Sequence, residues 1–385
     1  MRRFDVVIVG GGPSGAMAAR HLAHTGARVA IVDGSHPREK PCGGGLTGRA
    51  LELIASGMPG GLSIETVAFE SGGRVARVSL PEATYLRVYS RAVLDSALLR
   101  DAQDAGADLI PARVTGFVRH GTKWTIQGPP GGLEASWLLG ADGASGVVRK
   151  RVFTPFGRSQ ISIAAGSYVD DVATREIAIA FIDTPRGYLW SFPRDGHLAV
   201  GTCAQADETT PEEMHRVTDA WLDRYAPAHA RPRRRYAWPI PSLTASAIDR
   251  EQPSGDGWML LGDAAGLVDP ITREGIFFAL RSGVLAAEAL STSSPATSYA
   301  ERVRDELHTE LRRAARLKAG FYRPRFTRLL IEALEQSPAI REVMIDLVAG
   351  RQPYRGLKRR LLGTMELGLM MRLMIGAPKA LTSRH

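Results

Sequence analysis

Apolar residues near the N-terminus fall into two runs separated by a glycine turn and a helix of small residues. Val6 to Val9 are uninterrupted and apolar, the pattern of a parallel strand covered on both faces. Small residues follow the turn at Gly10–Gly15, and Arg28–Asp33 reads as a second strand, so residues 4–33 form a strand–helix–strand unit. Residues 40–48 hold three consecutive glycines and read as a loop. Alternating β-branched and aromatic positions predict strands at Thr66–Ser71, Arg74–Leu80 and Thr84–Tyr89. Ser90–Ala105 reads as a helix, with Ser90 as its N-cap and Val93, Leu94, Ala97 and Leu98 on one face. A hairpin, Val114–Val118 with Lys123–Gln127, leads into a strand at Ala135–Leu139. Ile161–Val169, Glu176–Ile182, Tyr188–Pro193 and His197–Cys203 make a second sheet, the last two strands joined by the turn Arg194-Asp195-Gly196. Thr272–Leu290 reads as a helix, and helices dominate the rest.

This order predicts an α/β fold. A Rossmann-type nucleotide-binding domain (residues 1–65, 90–150 and 255–295) is interleaved with a β-sheet substrate domain (66–89 and 151–254). A C-terminal helical region spans 296–385.

Composition narrows the setting. No run of about 18 apolar residues exists, which argues against a membrane span. The chain enters a strand almost at once, unlike a secretory leader, and its two cysteines, Cys42 and Cys203, fit a reducing cytoplasm. The net charge of +9 is uneven: residues 312–385 hold 16 Lys/Arg against 5 Asp/Glu. No histidine or cysteine spacing matches a metal site, and no nucleic-acid motif is present.

The glycine turn carries the first chemistry. Gly10 allows a tight turn, Gly12 a close approach of backbone to a pyrophosphate, and Gly15 close packing of helix on strand. Pro13 and Ser14 open the helix, whose amides and dipole favour phosphate. Asp33 follows Gly15 by 18 positions, where a carboxylate accepts from a ribose diol and disfavours a 2′-phosphate. Far downstream, Gly262-Asp263-Ala-Ala-Gly266 runs into Asp269-Pro270-Ile-Thr-Arg273-Glu-Gly275-Ile276.

In this order the two signatures resemble FAD-dependent oxidoreductases of the p-hydroxybenzoate-hydroxylase type. Three segments narrow the likeness: Gly140-Ala-Asp142-Gly143, Pro41-Cys42-Gly43-Gly44-Gly45, and Tyr188-Leu-Trp190-Ser-Phe192-Pro193. With these the chain resembles the geranylgeranyl reductase family over its first 290 residues. The family commonly has serine where Gly146 stands and glycine where Arg273 stands. The resemblance implies that FAD is held by Gly10, Gly12, Pro13, Ser14, Gly15 and Asp33. It adds Cys42, Gly43, Gly44, Arg91, Val114, Asp142, Gly143, Gly262, Asp263, Pro270, Gly275 and Ile276 to that set. Arg91 would face a phosphate, Val114 the adenine, Asp263 the ribityl or pyrophosphate portion, and the Gly275–Ile276 amides the flavin pyrimidine.

The implied activity is reduction of carbon–carbon double bonds in a prenyl chain. Cys42 is the candidate proton donor or relay, and Tyr188, Trp190 and Phe192 the candidate wall of a hydrophobic substrate. Each has a plainer reading: Cys42 as a small buried residue, Arg91 as a surface or capping group, the aromatic stripe as core. The alternative activity is a flavin monooxygenase acting on an aromatic or polyketide. Halogenation is disfavoured because no lysine lies between Lys40 and Lys123. The electron source is either NAD(P)H, bound without a motif, or a ferredoxin-like protein docking on the basic C-terminal region. That region, Arg351 to Lys379, combines an apolar stripe with basic residues, suited to a lid over the substrate or to the inner face of an anionic membrane.

Overall fold

In the computed structural model, which describes residues 1–54, 58, 60–81, 86–225 and 234–364, the apolar run sits at the centre of a parallel sheet. Strand Arg2–Val9 lies between Leu133–Gly140 and Val29–Val32, parallel to both. Val7 and Ile8 have no exposed surface, which explains a run without polar alternation. Trp258–Leu260 extends the sheet beyond Leu133–Gly140, and Asp108–Ile110 closes the other edge. The expected hairpin forms with its first strand at Gly116–His120 in place of Val114–Val118, and its second, Lys123–Gln127, attaches antiparallel to Leu133–Gly140.

Helices Pro13–His24 and Ile276–Leu290 pack closely on one another. Gly283 makes that approach feasible, since a Cβ there would lie 2.6 Å from the Ser14 carbonyl oxygen. A second sheet runs Arg234–Pro241, Ile161–Asp170, His197–Gln205, Gly187–Arg194, Glu176–Ile182, Thr66–Ser71, Arg74–Ser79. Its strands pair antiparallel, except where Thr66–Ser71 runs parallel to Glu176–Ile182. Helix Pro324–Gln336 buries Leu330, Ile331 and Leu334 against the Thr66–Ser79 hairpin. The α/β architecture with a C-terminal helical segment is the one the hydrophobic pattern predicts.

Three local readings change. Loop 40–48 ends in a short strand, Gly45–Thr47, and the described part of the segment read as Thr84–Tyr89, which leaves out Thr84 and Tyr85, contributes the strand Leu86–Val88. These two strands pair with each other and with Leu62–Ser63 in a small third sheet, not in the large one. Gly44 makes the turn feasible: its φ of +78° is open to glycine, and its carbonyl accepts from Tyr89 N at 2.9 Å. Finally, the helix expected from Thr272 starts at Ile276. Before it the Asp269 carboxylate accepts from the amides of Ile271 (2.7 Å) and Thr272 (3.0 Å), and Arg273 adopts a φ of +60°, so residues 269–275 form a pinned loop.

Candidate functional site

Three segments far apart in sequence meet beyond the C-terminal ends of the parallel strands, the usual ligand crevice of such sheets. Gly10, at φ +109°, turns the chain after Val9, and a Cβ on it would lie 2.8 Å from the Asp142 amide. A Cβ on Gly262 would lie 3.1 Å from Ser14 Oγ, and one on Gly275 3.2 Å from Asp263 Oδ1. The structure therefore brings together Gly10–Gly15, Asp142–Gly143, Gly262–Asp263 and Gly275–Ile276. Val114 lies at the rim, its side chain buried, beside the Ala112–Arg113 backbone on which Gly34 packs. Pro270 is buried within the pinned loop.

The cradle fits a dinucleotide on its own geometry. The first intrahelical bond runs from Ala16 N to the Gly12 carbonyl, so the amides of Ser14 and Gly15 have no acceptor inside the helix. Gly12 differs from its neighbours. Its φ is −74°, open to any residue, and the nearest atom to a Cβ there would be His36 Nε2 at 3.9 Å. Neither backbone strain nor packing within the chain requires glycine at that position, which leaves space for a group from outside the chain.

Around the cradle the acids are already engaged. Asp33 accepts from Gly11 N (2.7 Å), Ser35 N (2.6 Å) and His36 Nδ1 (2.7 Å). Burial alone would raise its carboxyl, but His36 and the backbone amides outweigh burial and hold it well below the ordinary value. His36 lies between two acids, with Nε2 3.3 Å from Asp95 Oδ2. Burial works against its charge, and the two carboxylates together raise it above the ordinary histidine value. Asp263 pairs with Lys40 at 3.2 Å. Asp142 accepts from Val148 N at 3.0 Å while its Oδ1 is buried without a partner, and burial pushes the carboxyl up to about 6. Gly146 is what lets Asp142 fold over this helix start, because a Cβ there would overlap the carboxylate.

Arg91 is placed differently from a surface phosphate ligand. Its side chain is buried and forms two bonds with Asp95, Nε to Oδ1 at 3.0 Å and Nη2 to Oδ2 at 2.9 Å. Burial opposes the charge, and Asp95 and the Cys42 sulfur offset it, so the guanidinium is held charged. The helix start expected to be capped by Ser90 is capped instead by Glu39, which accepts from the Arg91 and Ala92 amides and from Ser90 Oγ.

The Cys42 loop and the aromatic stripe are in direct contact. A Cβ on Gly43 would lie 3.1 Å from the Phe192 ring and one on Gly45 2.9 Å from it, so two of the loop glycines are needed to seat that ring. Gly44 N donates to Cys42 Sγ at 3.3 Å, and the fully buried Arg194 donates to the Cys42 carbonyl and pairs with Glu39. Tyr188, Trp190 and Phe192 share one face of their strand, with Tyr322 stacked 6.3 Å from Tyr188. The hydroxyls of Tyr188 and Tyr322 donate to the carbonyls of Thr272 and Ile271, fastening the pinned loop to the second sheet.

His36, Glu39, Asp95 and Arg194 were not foreseen. Only His36, three residues after Asp33, had a local signal; the others meet the site through tertiary packing. Among the described residues no three His, Cys, Asp or Glu side chains are grouped to hold a metal, and no helix is long and apolar enough to cross a membrane. Half of the basic stripe, including Met365, Leu369, Met370, Arg372, Leu373 and Met374, lies outside the described residues. In the described half, Arg360 pairs with Asp346 while Lys358 and Arg359 are exposed.

A family model described as an FAD binding domain matches residues 3–316. A menaquinone reductase from Mycolicibacterium smegmatis is 30% identical over 329 residues, covering 77% of this chain and 78% of the relative. A digeranylgeranylglycerophospholipid reductase from Methanothrix thermoacetophila is 29% identical over 356 residues, 83% of this chain and 88% of that protein. In structure, a geranylgeranyl bacteriochlorophyll reductase-like protein from Thermoplasma acidophilum superimposes with a TM-score of 0.75 at 20% identity, covering 94% of this chain and all of that one.

Proposed function

From the premise that this chain belongs to the FAD-binding-domain family, we propose that it is an FAD-dependent reductase of carbon–carbon double bonds in a prenyl chain. The observation that carries this reading is the contact between the Cys42–Gly45 loop and Phe192, which sets a thiol beside an aromatic wall at the edge of the dinucleotide crevice. Relatives named for reducing menaquinone and a digeranylgeranyl lipid support it.

Bound and reduced, FAD supplies the hydride. The chain's own residues do the rest. Gly12, Ser14 and Gly15 hold the pyrophosphate through backbone amides and the helix dipole. Asp33 and Asp263 are the acids for the cofactor's hydroxyls, and each must exchange a present partner, His36 or Lys40, to take that part. The Gly275–Ile276 helix start offers amides where negative charge gathers on reduction. Tyr188, Trp190 and Phe192 exclude water from an apolar substrate. An unpolarised alkene accepts hydride only as positive charge develops on carbon, so a proton must arrive at the other carbon. Cys42 Sγ–H is the donor, and Arg91, against the sulfur, steadies the group that remains. The alkene gains one proton and one hydride, and the thiol regains its proton from solvent.

Electrons reach the cofactor from NAD(P)H or an acidic carrier protein. Exposed Lys358 and Arg359 are suited to such a carrier or to the surface of an anionic membrane, where prenyl lipids partition. The test of function is turnover of a geranylgeranyl substrate by chemically reduced protein without oxygen, read by mass. A gain of two hydrogens per double bond supports the reading; an unchanged substrate overturns it.

A further inference from the structure

We propose that Arg273 forms a binding subsite for an anionic oxygen, a carboxylate or phosphate, carried by the substrate. The proposal rests on the reading that the aromatic face of Gly187–Arg194 borders the substrate. The chain places arginine at a φ of +60°, a conformation glycine adopts freely and other residues only under strain. The strained residue then turns a charged side chain inward. Its Nε and Nη1 are buried without partners, and the Cys203 thiol lies beside it. That thiol brings no negative charge, because burial raises it above the ordinary cysteine value. Among the described residues Arg273 makes no ion pair.

The neighbours do not supply the missing charge. Tyr188 and Tyr322 stand beside the guanidinium, but their hydroxyls donate to the loop carbonyls, and burial keeps both protonated. Asp269 accepts from two amides, and burial shifts it toward its neutral form. A second cation faces the same place: Lys318 donates to Gln205 Oε1 at 2.7 Å and Ser242 Oγ at 2.8 Å. Burial first, and Arg273 second, push its ammonium down to about 7. A guanidinium with two buried nitrogens and no partner, paired with no carboxylate among the described residues, is costly unless a ligand brings the anion. Arginine suits carboxylate and phosphate oxygens better than any other side chain.

The position also orients the substrate. Arg273 lies at the Tyr188 end of the stripe, and Cys42 at the Phe192 end, about 13 Å away at ~3.3 Å per residue. Positive charge developing on an alkene carbon is disfavoured beside Arg273 and Lys318, so the reacting bond belongs at the Cys42 end. The substrate's oxyanion then lies toward Tyr188, with a length of apolar chain between.

The test titrates the FAD-loaded protein anaerobically, following the flavin absorbance, with four probes in two matched pairs. One pair is geranylgeranoic acid and geranylgeraniol; the other is phenylacetate and 2-phenylethanol. Geranylgeranyl diphosphate, run beside the prenyl acid, separates phosphate from carboxylate as the preferred oxyanion. Wild type should prefer the acid by about tenfold or more, and both Arg273→Gly and Arg273→Gln should lose that preference while alcohol binding stays unchanged. Glycine suits the backbone here, so loss of folding does not explain the result. Equal binding of acid and alcohol in both pairs, or a preference that survives both variants, overturns the subsite. Equal binding confined to two prenyl ligands that do bind leaves the prenyl reading standing. An acid preference in the aryl pair, with no prenyl binding, keeps the subsite and removes the prenyl reading. No binding of any probe overturns both.

Discussion

Replacing Gly12 by alanine should leave the fold intact and empty it of FAD, whereas the same change at Gly15 should damage the fold itself. At Gly12 the φ of −74° suits alanine, and the nearest atom to the new methyl is His36 Nε2 at 3.9 Å, ordinary contact. Two small terms oppose each other: alanine restricts the unfolded chain, favouring the fold by ~0.4–1 kcal/mol, and it caps a helix less well than glycine by a similar amount. The net effect on the apoprotein is near zero. The methyl does enter the space where pyrophosphate meets the amides of Ser14 and Gly15. A hydrogen bond to a charged group is worth about 1.5–3 kcal/mol, so losing two costs about 3–6 kcal/mol, or roughly 10²–10⁴-fold in affinity. At Gly15 the methyl would collide with the Gly10 carbonyl and lie 3.2 Å from Ala141 Cβ, and overpacking of that kind costs ~1–3 kcal/mol or more of stability. The assay is paired: chemical denaturation of each apoprotein, and FAD titration followed by fluorescence. Wild-type FAD affinity in Gly12→Ala would refute the placement of the cofactor, and loss of its fold would refute the reasoning about free space.

Three further outcomes follow from the same geometry. Asp142, raised by burial to about 6 from 3.8, contributes stability at low pH that is lost as pH rises through about 6. Asp142→Asn should therefore match the wild-type apoprotein near pH 4 and exceed it above pH 6, by on the order of 3 kcal/mol at most; a difference independent of pH would contradict this. Cys42→Ala should keep FAD and lose ~10²–10⁴-fold in alkene turnover, and full turnover would reduce Cys42 to a packing role. Tyr188→Phe removes the bond to the Thr272 carbonyl and should cost about 1–3 kcal/mol and loosen loop 269–275 to proteolysis; unchanged stability and cleavage would show that the hydroxyl does not hold the loop.

Periodicity revealed the architecture because its signals are local. Val6–Val9 could be recognised as a doubly covered strand from four residues, and the glycine turn from six. The Cys42 loop and the Tyr188–Phe192 stripe were each visible, but not their contact, since no spacing in a chain records that a ring rests on Gly43 and Gly45. Arg91 was drawn toward a phosphate by its place at a helix start. The partner that holds its guanidinium, Asp95, is four residues on, and the half-buried Cys42 is far away in sequence. The helix expected at Thr272 was misread because Asp269 caps two amides of its own loop, a side-chain bond that competes with helix formation. Arg273 stood out in sequence as a departure from glycine, while its buried, unpaired nitrogens were visible only in three dimensions.

Hydride delivery to a prenyl double bond would leave the bound flavin oxidised, which its absorbance reports. Chemically reduced holoprotein is mixed with a geranylgeranyl substrate in the absence of oxygen, and with oxygen in its absence, while the flavin absorbance is followed in time. Rapid reoxidation by the alkene is expected, slowed ~10²–10⁴-fold in Cys42→Ala, with a product heavier by two hydrogens per bond reduced. Reoxidation by oxygen alone, with the substrate of the anaerobic mixture returned unchanged, would contradict hydride delivery to the alkene.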